Sequence, residues 1–264
     1  MKELLKKAIH ASILAGEEVL KIYNNPNSDF SIEIKLDNSP LTIADKLSHV
    51  MIEKELAKTK LPILSEEGEN SSFENRKVWP LFWMVDPLDG TKEFIKKNGE
   101  FTVNIALIRE NKPVLGVIYV PLTKELYFGA EGISTRKTTV EKSNVRMEAL
   151  IQNALKLPLK KNVESYVVVA SRSHINKETS DFIEKLEKEK SRITVISKGS
   201  SLKICLVAEG VADVYPRFGP TMEWDTAAGH AIAKFAGKNL FLAGSEKEIE
   251  YNKENLLNPY FIVI

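Results

Sequence analysis

Asp86 and Asp89 stand three residues apart in the stretch WMVDPLDGTKEFI, at the end of the apolar run LFWMV. A core strand has no use for two carboxylates at its mouth, because they repel each other and lose hydration. A hard cation removes both costs. Mg²⁺ in particular takes oxygen ligands, commonly one or two carboxylates with waters and a substrate phosphate. Pro87 stiffens the turn, and the Leu88 carbonyl is a spare oxygen between the two acids. Gly90 and Thr91 then open a short helical stretch, TKEFIKK. A helix N-terminus offers free N–H groups and a positive dipole end, which suits phosphate, and Gly90 lets the backbone approach a ligand closely. Metal-type ligands and a phosphate cradle thus share six adjacent residues, the pairing that phosphoryl chemistry needs.

Other acids fall at the ends of predicted elements: Asp45, Glu66 with Glu67, and Asp225. Taken singly, each reads as readily as a solvated surface carboxylate. His10 and His49 lie in helical patterns with no Cys or His at zinc-ligand spacing. There is no supported Ser-His-Asp set, GxGxxG turn or Walker loop. Cys205, the single cysteine, sits among apolar residues at helical spacing in SLKICLVAEG and reads as core filler.

The elements that must position these acids are legible in the patterning. Leu4, Ala8, Ala11, Ala15, Val19 and Ile22 recur at three and four residues and predict an amphipathic first helix. SIEIKL alternates as a strand or hairpin arm. NSPLTIADKLSHVMIEKELAK predicts a second helix, with Pro40 near its start, Thr42 as a cap and Asp45 in its first turns. LFWMVD predicts a buried strand, and FTVNIALI, KPVLGVIYVP and KELYFGAEG a meander. Residues 130–163 are polar and poorly patterned, a candidate junction. Beyond them strand and helix patterns alternate: SYVVVAS, a helix from near Lys177, ITVIS, SLKICLVAEG, VADVYP, WDTAAGHAIAKFAG and NPYFIVI. This predicts an α+β half over 1–145 and an α/β half over 146–264.

The chain has 264 residues, 43% hydrophobic and 28% charged, enough for a sizeable core. A net charge of +1 gives no bulk grip on a nucleic-acid polymer or an anionic membrane. Lys6, Lys7, His10, Glu17 and Glu18 interrupt the apolar residues of the first helix, so no signal peptide or transmembrane segment is expected, and the chain reads as cytoplasmic.

DPLDGT, with LSEE upstream and WDTAAG downstream, resembles the magnesium-dependent, lithium-sensitive phosphatases typified by inositol monophosphatase. DNSPLTIAD, WMVDPLDGTKEFIKKNGEFTVNIALI, SLKICLVAEG and YPRFGPTMEWDTAAGHA are more similar to one branch, the bacterial 3′(2′),5′-bisphosphate nucleotidases of the CysQ type. Inositol-type members usually have Ile between the two aspartates and Asn-Phe soon after the Thr; this chain has Leu88 and Lys92-Glu93-Phe94. The resemblance is weakest across 130–163.

The resemblance implies a layered αβαβα sandwich of the inositol monophosphatase and fructose-1,6-bisphosphatase type, with the metals between the halves. It implies Mg²⁺ as cofactor. Glu66, Asp86 and the Leu88 carbonyl match the ligands of one ion, and Asp86, Asp89 and Asp225 those of a second; a third, looser ion leans on Glu66 through water. Asp45 and Thr91 match the pair that orients and deprotonates the attacking water, Glu67 orients a ligand or a metal water, and the Gly90 and Thr91 amides hold the scissile phosphate. For a second phosphate it points to His174 in SRSH, to Ser200 and Lys203 in GSSLK, and to Arg217 in YPRFGP. The substrate implied is a small phosphorylated metabolite, 3′-phosphoadenosine 5′-phosphate from sulfate assimilation. The alternative is a sugar or polyol phosphate such as inositol 1-phosphate or fructose 1,6-bisphosphate. His230 reads as packing, and Trp224 as packing or bordering the substrate. Oligomeric state is not legible.

Overall fold

The computed structural model describes residues 1–35, 39–69, 71–141, 146–159, 165–171 and 176–264. In chain order the first part holds α1 (Lys2–Tyr23), β1 (Glu33–Ile34), β2 (Pro40–Leu41), α2 (Ile43–Leu56), β3 (Ile63–Ser65), α3 (Phe73–Arg76), β4 (Leu81–Asp89) and α4 (Thr91–Ile95). A meander follows: β5 (Thr102–Arg109), β6 (Lys112–Val120), β7 (Glu125–Ala130) and β8 (Ile133–Thr139). Then come α5 (Met147–Asn153), β9 (Leu155–Lys156), β10 (Tyr166–Ser171), α6 (Lys177–Glu189), β11 (Ile193–Lys198) and α7 (Leu202–Glu209). The chain closes with β12 (Tyr215–Arg217), α8 (Glu223–Phe235), β13 (Leu240–Leu242) and β14 (Phe261–Val263).

Strands β3 to β9 form one seven-stranded sheet in chain order, antiparallel except for the β3–β4 pair. Helices α1 and α2 pack on one face and α8 on the other, and α7 packs against α8. A second set of strands lies beyond: β10 parallel to β11, joined through a Val168–Val214 bridge to the antiparallel order β12-β14-β13. Helix α7 touches β10 and β12, and α6 touches β12. The sequence of layers is therefore αβαβα, a consequence of two sheets that each need apolar cover.

Two large cores sit on the two faces of the main sheet. Leu5, Ile9, Ile13 and Trp83 belong to one; Phe82, Met84, Ile204 and Ile232 to the other. Trp83 and Phe82 thus show the period-2 alternation of a strand buried on both sides. The small residues of DTAAGHA let α8 lie unusually close to the sheet: a β-carbon on Gly116 of β6 would stand 2.2 Å from the Ala228 carbonyl. That close approach delivers Asp225, in the first turn of α8, to the site.

The structure departs from the sequence expectations in particular places. Pro40 lies in β2, paired with the two exposed residues of β1, and α2 starts only after Thr42. The polar 130–163 stretch holds β8, α5 and β9; β9 pairs with β8, so the main sheet runs on to Lys156. Polar residues suffice there because β8 is half-exposed, an outer strand of the meander. The C-terminal half also carries an antiparallel portion, since β14 pairs with both β12 and β13. Strand β13, at three residues, is too short to give a periodic signal. No described helix is long and apolar enough to cross a membrane.

Candidate active site

The spacing of DPLD is explained by a bulge. Asp86 pairs with Asn104 and Asp89 with Thr102, so three steps on β4 oppose two on β5. Strict alternation would send residues three apart to opposite faces of the sheet. The extra residue cancels that and turns both carboxylates the same way. Around the bulge, the Ser48 hydroxyl donates to the Pro87 carbonyl (2.6 Å) and the Leu88 N–H donates to Asp86 Oδ1 (3.1 Å). Leu88 is buried with Tyr23, Phe94 and Phe101 in a third, aromatic cluster that clamps the turn from behind. Gly90 takes φ of +92°, and a β-carbon there would lie 2.9 Å from the Glu100 carbonyl.

Three carboxylates from separate elements converge. Glu66 leaves β3 with its N–H bonded to the Val85 carbonyl (3.1 Å), Asp86 ends the buried part of β4, and Asp225 caps α8 by accepting the Met222 N–H (2.9 Å). One oxygen of each lies within 4.8 Å of the others. Burial, then the neighbouring Glu66, Asp89 and Asp225, hold the Asp86 carboxyl well above the usual carboxylate range; Asp225 is raised well by burial and then by Asp89 and Glu66. Asp89 faces the same region, with its Oδ2 taken by the Ser201 N–H (2.5 Å) and hydroxyl (2.5 Å). Asn104 steadies that hydroxyl at 2.8 Å. An all-oxygen donor set carrying this much like charge fits a hard divalent cation and does not fit zinc or a soft metal.

Lys35, just before the undescribed residues 36–38, meets this acidic wall. Its ammonium donates to Glu66 Oε1 (2.7 Å) and to Glu67. Burial pushes its pKa down, but Glu66 and Glu67 more than offset this and raise it, while burial raises Glu66. An internal ammonium on a candidate ligand competes with an added cation. Lys35→Met should therefore lower the Mg²⁺ concentration for half-maximal activation several-fold, read from a metal titration of activity or calorimetry; a higher requirement would show that Lys35 supports metal binding instead. Within SIEIKL this residue carries no signal of its own, since exposed lysines on strand arms are ordinary.

Asp45 occupies the third position of α2 in a capping box. Its Oδ2 accepts the Thr42 N–H (2.8 Å) and the Thr42 hydroxyl (2.5 Å), and its Oδ1 accepts the Thr91 hydroxyl at 3.1 Å. Burial raises its pKa, against the two Thr42 donors. Thr91 thus links an acid suited to taking up a proton with the Gly90 turn. Thr42 was legible as a helix cap; its second task, fixing Asp45, was not.

A cavity of about 520 Å³ opens over these groups. Glu66, Asp89, Gly90, Thr91 and Asp225 line it, and so do Ser200, Lys203, Arg217 and Trp224. Asp45 reaches it through Thr91, and Asp86 lies against Glu66 and Asp225. Glu67 meets it through Lys35. Lys203 is buried, donates to the Ser200 carbonyl (2.5 Å) and lies 5.5 Å from the Tyr215 ring centre. Burial brings its pKa down to about 8, with Asp89 opposing. Arg217 donates to the Pro220 carbonyl (2.8 Å), and among the described residues its buried Nε has no partner. His174 lies outside the described residues. His230 is fully buried and bonded to Tyr251 (3.0 Å) and Asn239 (2.7 Å), as its packing role predicts. Asn104 and Glu100 had no signal of their own, and Ser201 only as part of GSSLK, since a polar residue in a strand or loop is informative only once its neighbour in space is known.

Known proteins are similar to this chain over nearly its whole length. The model of the inositol monophosphatase family matches residues 1–258. A Salmonella typhimurium protein named 3′(2′),5′-bisphosphate nucleotidase CysQ is 43% identical over 263 residues, covering 98% of this chain and 99% of that protein. Its namesake from Escherichia coli K12 is 44% identical over 252 residues, 94% of each. The crystal structure of CysQ from Bacteroides thetaiotaomicron, a bacterial member of the inositol monophosphatase family, superposes with a TM-score of 0.92 at 52% identity, covering 100% of this chain and 97% of that one. An inositol monophosphatase from Thermotoga maritima, at 23% identity and a TM-score of 0.73, shares the fold. With its acids brought to one cavity by the layers these structures share, the chain belongs to the inositol monophosphatase family.

Proposed function

We propose that this chain is a divalent-cation-dependent phosphomonoesterase that hydrolyses 3′-phosphoadenosine 5′-phosphate to AMP and phosphate. The observation that carries the reading is one cavity lined by two chemically different sets of groups. Glu66, Asp89, Asp225 and Thr91 are one set; Ser200, Lys203 and Arg217 are the other. A substrate with two phosphates would use both sets. The names and near-complete coverage of the curated relatives support the same substrate class.

Glu66, Asp86 and the Leu88 carbonyl would hold one Mg²⁺, Asp86, Asp89 and Asp225 a second, and Glu66 a third through water. When bound, such ions neutralise phosphoryl charge and acidify water. The chain's own groups do the rest. The Gly90 and Thr91 amides receive oxygens of the scissile phosphate. The Thr91 hydroxyl orients the attacking water and relays a proton to Asp45 Oδ1, 3.1 Å away. Glu67 keeps Lys35 and Glu66 in place through the shared ammonium. The water oxygen bonds to phosphorus as the phosphorus–ester oxygen bond breaks, the proton that Asp45 took up passes through solvent to the leaving ribose oxygen, and no covalent enzyme intermediate is needed.

Phosphate release from 3′-phosphoadenosine 5′-phosphate, inositol 1-phosphate and fructose 1,6-bisphosphate, measured side by side, tests the substrate. Equal or greater turnover of either sugar or polyol ester overturns it. The pH profile gives a second check. Lys203 is charged below about 8 and neutral above. Its attraction for a second phosphate is therefore present at lower pH and lost as pH rises through that value. For the nucleotide, kcat/KM should fall above pH of about 8; for a minimal phosphate ester it should show no break there. The same break with both substrates would remove Lys203 from the second-phosphate site.

A further inference from the structure

The Ser200 side of the cavity is a strained turn. Ser200 has φ of +44°, left-handed backbone that a β-carbon disfavours. Such a conformation persists only where the surroundings over-determine it. Here each neighbour of Ser200 is pinned by a carboxylate. On one side the Ser201 N–H donates to Asp89 at 2.5 Å. On the other the Gly199 N–H donates to Glu100 Oε2 at 2.7 Å. Glu100 is 8% exposed, and its other oxygen receives the ammonium of Lys198, the residue before Gly199, at 3.3 Å.

Glu100 is also wedged between the two halves of the site. Its carbonyl lies 2.9 Å from the place of a β-carbon on Gly90 and 3.1 Å from that on Gly199. Asn98 Oδ1 accepts its N–H at 3.0 Å, and the next residue, Phe101, is locked against Tyr23 and Phe94. The Asp89 anchor belongs to the candidate cation site; Glu100 is none of the candidate ligands. The two anchors therefore divide the labour, Asp89 tied to the candidate cation site and Glu100 holding Gly199 and Lys198.

We propose that Glu100 is a positioning residue for substrate choice: by holding Gly199 and Lys198 it keeps Ser200 turned into the cavity and so sets the preference for a substrate with a second phosphate over a simple monoester. The inference rests on the bisphosphate-nucleotidase reading of the cavity. A carboxylate is suited to the position because an N–H and an ammonium converge on it, and charge-assisted bonds of this kind fix geometry more firmly than neutral ones.

The test compares Glu100→Ala, Glu100→Gln and Gly199→Ala with the unaltered chain on 3′-phosphoadenosine 5′-phosphate and p-nitrophenyl phosphate, with half-activating Mg²⁺ measured for each. In Glu100→Ala the ratio of kcat/KM values, nucleotide over ester, should fall about tenfold, carried by KM for the nucleotide. Glu100→Gln, which keeps an acceptor for the Gly199 N–H, should recover part of the ratio. Gly199→Ala, whose β-carbon would stand 2.9 Å from Glu93 Cγ, should shift the ratio the same way while the Mg²⁺ requirement holds. An unchanged ratio in both Glu100→Ala and Gly199→Ala, or a fall in kcat shared equally by the two substrates, overturns the role of Glu100. Unaltered protein that prefers the ester overturns the substrate reading on which it stands.

Discussion

Asp86→Asn should lower turnover on the order of a thousandfold or more and, in the absence of metal, should raise the melting temperature. The two effects come from one cause. Asp86 is 1% exposed, and burial with Glu66, Asp89 and Asp225 beside it holds its carboxyl well above the ordinary range. The folded state therefore takes up a proton more readily than the unfolded chain does. Ionising Asp86 costs stability, and the cost grows as pH rises from the unfolded pKa to the folded one. At neutral pH the metal-free protein bears that cost. Asparagine bears none, and its side-chain carbonyl still accepts the Leu88 N–H now bonded to Asp86 Oδ1 at 3.1 Å. Mg²⁺ should raise the melting temperature of the unaltered chain by mass action and barely move that of the variant. Thermal unfolding with chelator and with excess Mg²⁺, at two pH values, reads all of this. A variant that melts lower than its parent without metal, and still gains as much from Mg²⁺, would mean that Asp86 is not at the cation site.

Thr91→Ala and Asp45→Asn should each lower kcat by roughly a hundred- to ten-thousandfold, the usual weight of a positioned proton acceptor, while Mg²⁺ affinity changes little. The geometry makes the two a unit. Asp45 Oδ1 receives the Thr91 hydroxyl at 3.1 Å, and Asp45 Oδ2 is already held by Thr42. A group that can no longer pass its proton gains nothing from an intact partner, so the double variant should be no worse than the slower single one. Thr42→Ala should fall between, since it leaves both members present but frees Asp45 to turn. Single-turnover rates at saturating substrate and metal decide the matter. Additive losses in the double variant would mean that Asp45 and Thr91 act separately.

The chemistry of the site was legible where function conflicts with burial. Asp86 and Asp89 at the mouth of LFWMV have no structural reason to be there, and Gly90-Thr91 beside them has the residue types of the proposed phosphate cradle. The helical period of α1 was legible because one apolar face must be covered, and β4 to β7 were legible as apolar runs bounded by turn signals. Thr42 announced itself as a cap because capping is local. What only the tertiary structure decided is which distant polar groups share a carboxylate. Lys35 on Glu66, Ser201 on Asp89 and Glu100 on Gly199 are contacts between residues 31 to 112 positions apart. The bulge that turns Asp86 and Asp89 the same way is likewise a property of the β4–β5 pairing, not of DPLD. Periodicity reports how a segment meets apolar surroundings in general; a hydrogen bond depends on one partner at one distance and angle. The chain alone therefore declared which groups must be charged together, and packing chose the neighbours that hold them.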